Sequence, residues 1–141
     1  VLVEFAINDA DLRDGLSREI SRAHHADLVA ALRRDLPETA VVLLTMSPVY
    51  GPLRRLQRPR LGAYYADVVT LARDRGLGLV DLYPRWLEVD GARPPDGLHP
   101  TDAATARVID PVLIPALARA YRGGVPEGAC RDESAGDGVS E

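Results

Sequence analysis

The stretch Asp96-Gly97-Leu98-His99-Pro100 holds the residues best suited to chemistry. A histidine acting as general base needs a carboxylate on its Nδ1–H, which fixes the tautomer and stabilises the imidazolium that forms. An aspartate three residues earlier reaches that nitrogen across a turn that Gly97 permits. Pro94 and Pro95 before the turn and Pro100 after it stiffen the segment, and Pro100 biases His99 towards extended backbone. The same residues also read as a plain turn with a capping aspartate and a solvated histidine. Asn8 is the second candidate. It directly follows an apolar run, where an amide can donate to a developing oxyanion. Its bland role is an Asx turn that ends a strand, with Asp9 capping the next element.

Other polar residues carry less. Ser47 follows an apolar run, but Pro48 comes next and no Gly-x-Ser-x-Gly elbow surrounds it, so it is a poor nucleophile. His24 and His25 are adjacent, not four apart as in a helical zinc pair, and fit a solvated helix face. Gly76-Leu77-Gly78 precedes a strand and lacks a third glycine, so a dinucleotide fingerprint is not supported. Arg54, Arg55, Arg58 and Arg60 could steer an anionic substrate, although a solvated loop explains them as well. Tyr83 and Trp86 could line an acyl or sugar pocket, with core packing the default.

The elements that must position these residues alternate. Val1–Ile7 and Ala40–Met46 are near-continuous apolar runs of the kind buried parallel strands show. Between them the spacing predicts a helix from Ser17, a plausible N-cap, to Asp35, with Ile20, Ala23, Leu28, Ala31 and Leu32 near one stripe. A loop over Ser47–Arg58 should lead into a helix over about residues 59–75, stopped by Gly76. Leu77–Leu82 reads as a third strand and Tyr83–Glu88 as one helical turn. A last helix over about residues 101–121 should break near Pro111 and Pro115 and restart at Asp110-Pro111. The order βαβαβ-loop-α argues a parallel sheet with helices on its faces, whose site lies beyond the carboxyl ends of the strands.

Composition bounds the function. The 141 residues suit one domain, and no apolar run approaches the ~20 residues of a membrane-spanning helix. All 17 bases are arginine, which excludes a phosphate loop ending in Gly-Lys-Ser/Thr. One cysteine, Cys130, excludes an internal disulfide and a multi-cysteine zinc knuckle. Residues 123–141 hold five acids against Arg131 alone and are expected to form a disordered acidic tail. Residues 1–122, the expected α/β domain, are then neutral, which gives no general pull on nucleic acid or on an anionic membrane.

Taken together, Asn8 after the first strand and Asp96-x-x-His99 before the last helix resemble the SGNH (GDSL-type) hydrolase family. Its third block, Gly-x-Asn-Asp, is similar to Ala6-Ile7-Asn8-Asp9, and its fifth, Asp-x-x-His, to Asp96-Gly97-Leu98-His99. The resemblance covers most of residues 1–121. It implies a flavodoxin-like three-layer αβα sandwich with a parallel sheet, of which about three strands are present here. It also implies an ester hydrolase that forms an acyl-serine and needs no metal or organic cofactor. Carried over, His99 would be the base, Asp96 its orienting acid and Asn8 an oxyanion donor. Two departures stand out: Ala6 replaces the block's glycine, and no Gly-Asp-Ser block is found. The expectation is therefore that Val1 begins at the family's third strand, with two strands and the nucleophile upstream or lost and the chain inactive by itself. Its partner would be a small ester, and the apolar first strand, left as an open edge, would favour self-association. The rival reading is a non-catalytic α/β module that binds a carbohydrate or a protein.

Overall fold

A strand that is apolar on both faces needs a layer of structure on each side. The computed structural model describes residues 1–124, in which three parallel strands form one sheet: β1 (Leu2–Val3), β2 (Val42–Thr45) and β3 (Gly78–Asp81), in that order. Central β2 is buried at all four positions. Seven helices complete the described residues: α1 (Ala6–Asp9), α2 (Arg18–Asp35), α3 (Pro52–Gln57), α4 (Leu61–Arg75), α5 (Tyr83–Glu88), α6 (Asp102–Val108) and α7 (Asp110–Gly124).

Side-chain alternation along β2 divides the interior into two cores. Val41 and Leu43 join Val3, Ala6, Val29, Leu61, Tyr65 and Val68 on the side of α1, α2 and α4. Val42 and Leu44 join Val80, Leu82, Trp86, Ala104 and Val108 on the side of α5, α6 and α7. The result is the expected three-layer α/β sandwich. Leu43, fully buried, contributes about 1.5–3 kcal/mol through burial alone.

Local signals set most boundaries. The Ser17 hydroxyl accepts from the Ile20 N–H at 3.3 Å and starts α2. Gly76 ends α4 in the left-handed region at φ +58°. The last helical stretch breaks at Ile109, and Asp110-Pro111 opens α7 as expected, but the break expected at Pro115 is absent, since Pro115 lies inside α7.

Three expectations are corrected. The first apolar run does not continue as a strand to Ile7: pairing stops at Val3, because the Phe5 carbonyl accepts from both Asn8 N–H (3.0 Å) and Asp9 N–H (3.2 Å) and turns the chain into α1. Residues 52–57 are a short helix instead of loop, with Gly51 at φ +78° as N-cap and Pro52 at the first helical position. In α2 the buried stripe is Ser21, His25 and Val29, while Ile20 is 47% exposed. Polar anchors set that rotation: Ser21 Oγ donates to Asp9 Oδ2 at 2.6 Å, and Arg18 pairs with Asp67 at 2.7 Å.

Among the described residues no helix is long and apolar enough to cross a membrane. Residues 125–141, with Cys130 and most of the expected tail, lie outside the described residues.

Candidate active site

Asp96 and His99 meet in a turn that one carboxylate organises. Asp96 Oδ1 accepts the N–H groups of Leu98 (2.9 Å) and His99 (2.8 Å), while Oδ2 faces His99 Nδ1 at 2.6 Å. One carboxylate thus both caps the turn and faces the imidazole. First the His99 N–H, then the Leu98 N–H and the imidazole hold the Asp96 carboxyl far below the usual carboxylate range. An ionised carboxylate only accepts, so His99 carries its proton on Nδ1 and leaves the Nε2 lone pair free when neutral. The His99 side chain is 77% exposed.

The turn rests on the segment after β2. Tyr50 N–H donates to the Gly97 carbonyl at 2.9 Å, and Arg54 Nε to the Asp96 carbonyl at 3.4 Å. Gly97 has φ +75°, and a Cβ there would overlap the Tyr50 carbonyl oxygen. The guanidinium of Arg93 stacks on the Tyr50 ring, 4.9 Å from its centre.

Asn8 lies in α1, at the carboxyl end of β1, and is exposed. It is helical and not a strand-ending Asx turn. The same post-β2 segment grips this turn too: Leu12 N–H donates to the Gln57 carbonyl (2.9 Å), and Arg58 Nε to the Ile7 carbonyl (2.9 Å). Ile7 and Leu98 pack against one core cluster. The turn of the dyad and the turn of the amide therefore share one brace, residues 50–58, at the rim beyond the strands.

The described serines are otherwise occupied. Ser17 caps α2 and Ser21 bonds Asp9. Ser47 is 1% exposed, with its carbonyl bonded by Tyr65 Oη at 3.1 Å. Trp86, also 1% exposed, is core, whereas Tyr83 packs on Tyr65 with ring centres 5.2 Å apart.

Two residues differ from the sequence reading. His25 is buried, its Nδ1 2.8 Å from the Ser21 carbonyl and 3.8 Å from Asp9 Oδ2. Its i+4 spacing from Ser21 and to Val29 was the available signal. Arg58 is not on a solvated loop: its side chain is 6% exposed and pairs with Asp11 at 2.7 Å. A surface cleft of about 450 Å³ runs between α2 and α4, but Asn8, Asp96 and His99 do not line it. Among the described residues no group of metal-ligating side chains clusters.

Comparison with known proteins gives this geometry a context. A family model described as GDSL-like lipase/acylhydrolase matches residues 1–107. No curated protein matches the sequence. A solved structure of a candidate acylhydrolase from Bacteroides fragilis NCTC 9343 superposes with a TM-score of 0.70 at 19% identity, covering 84% of this chain and 61% of its own. A GDSL-like lipase from Bacteroides thetaiotaomicron gives 0.69 at 18% identity, covering 85% and 62%. The esterase domain of the ORF1 protein from the zebrafish ZfL2-1 retrotransposon gives 0.59 at 25% identity, covering 76% and 60%. The chain spans about six tenths of the length of these structures.

Proposed function

The chain belongs to the GDSL-like lipase/acylhydrolase family, and from that premise we propose that it provides the proton-handling half of an ester hydrolase. His99 Nε2 takes the proton of an attacking hydroxyl and later activates the water that releases the acyl group. Asp96 holds the ring and balances the imidazolium. Asn8 donates to the tetrahedral oxyanion. The observation that carries this reading is the 2.6 Å contact from Asp96 Oδ2 to His99 Nδ1, with the His99 side chain 77% exposed.

The nucleophile comes from outside the described residues. Ser17 caps the start of α2, Ser21 donates to Asp9 and Ser47 is sealed in the interior. By themselves the described residues form no acyl-serine. The substrate is a small ester, and the reaction uses no metal or organic cofactor. The open β1 edge, flanked by exposed Val1, Leu2 and Phe5, supports self-association with a second copy.

The test is labelling by a fluorophosphonate. Residues 1–141 alone should remain unlabelled. A polypeptide that restores the upstream reading frame should label at a serine and hydrolyse p-nitrophenyl acetate, and His99→Ala should abolish both. Full turnover in that variant would remove the assignment.

A further inference from the structure

Asn8 is exposed and sits in a helix of only four residues, so its own packing does not fix its amide. The peptide unit before it is held instead. The Ile7 carbonyl accepts from Arg58 Nε at 2.9 Å. Arg58 Nη2 then reaches Asp11 Oδ2 at 2.7 Å, three residues past Asn8. One guanidinium therefore spans the whole turn that carries the amide.

The same guanidinium is buried while it makes these contacts. Arg58 is 7% exposed as a residue, and its Nη1 is buried without a hydrogen-bond partner. A buried donor left unpaired forfeits its hydration, typically about 1–3 kcal/mol. A lysine could answer Asp11 as a point charge, but it lacks the rigid fork that serves two acceptors in two directions at once.

We propose that Arg58 is a positioning residue for Asn8: it touches no substrate and fixes the direction of the amide by holding Ile7 and Asp11 together. The role rests on Asn8 as the oxyanion donor, but the tether itself can be tested without ester turnover. Residues 1–141, labelled with ¹⁵N, would be compared with Arg58→Lys, Arg58→Met and the exposed neighbour Arg55→Ala.

In Arg58→Lys the side-chain NH₂ pair of Asn8 should shift, and the heteronuclear NOE over residues 6–11 should fall. The Asp96–His99 signals should stay near those of the parent, and the thermal midpoint should fall by no more than the few degrees that loss of one hydrogen bond costs. Arg58→Met should show the same local change with a lower midpoint, and Arg55→Ala should show neither. If Asn8 signals coincide with the parent in Arg58→Lys, the proposal is overturned, whether or not Arg58→Met folds. It is equally overturned if all amides shift together, since that marks a general structural role. Failure of the serine-labelling experiment would leave these NMR results unchanged, so the two readings fail separately.

Discussion

Gly97→Ala is the sharpest probe of the brace beneath the dyad. Gly97 is buried at φ +75°, and an alanine held in the left-handed region costs roughly 1–2 kcal/mol. Its Cβ would overlap the Tyr50 carbonyl oxygen and lie 3.1 Å from the carbonyl carbon. Relief requires the two segments to part, which breaks the 2.9 Å Tyr50 N–H to Gly97 bond at about 1 kcal/mol. The sum is about 2–3 kcal/mol. Gly76→Ala is the matched control, because Gly76 has φ +58° but nothing within 4 Å of the new Cβ, so strain alone remains. The two variants should differ by at least about 1 kcal/mol, or roughly 4 °C in melting temperature for a domain of this size. Melts recorded by circular dichroism would measure the gap, and the His99 Nδ1–H resonance would report whether the dyad survives. If Gly97→Ala melts with Gly76→Ala and keeps that resonance, the segment is not a brace.

The same geometry makes two further outcomes measurable. Because the Asp96 carboxyl is lowered in the folded state, its contribution to stability is present above its unfolded value of about 4 and is lost as pH falls towards the folded value. The acid slope of the melting temperature below about pH 5 should therefore flatten in Asp96→Asn, and the ¹⁵N shifts of His99 should report a change of tautomer; an unchanged slope would contradict the hydrogen-bond origin of the effect. The open β1 edge predicts concentration-dependent mass in light scattering after size exclusion, reduced by Leu2→Lys; a monomer at all concentrations would remove the pairing proposal.

Signals that act over three or four residues were legible in the sequence. Ser17, Gly76 and Asp110-Pro111 each satisfy a helix end by their own chemistry, and the structure places the boundaries there. Buried β2 was equally plain, since Val41–Thr45 has no polar face to present before Thr45. The departures arise from partners far away in the chain. Glu4–Ile7 continues an apolar run that reads as strand, yet Arg58, 51 residues beyond Ile7, holds it in a turn. Likewise α2 turns Ile20 outward because Asp9 and Asp67 hold Ser21 and Arg18. Of the candidate site, the Asp96–His99 pair was readable because it is local. Tyr50 and Arg58 were not, because their partners sit more than 40 residues away.

Helix α3 contains no buried residue, and Leu53 and Leu56 are 63% and 71% exposed. It is moored at its two ends, by Tyr50 and Arg54 on one turn and by Gln57 and Arg58 on the other, with little adhesion along its length. Such an element yields by releasing its moorings long before the sheet unravels. Amides of residues 52–58 should thus exchange with solvent earlier than those of β2, and whatever settles on the outward leucines would tug on the imidazole and the amide together.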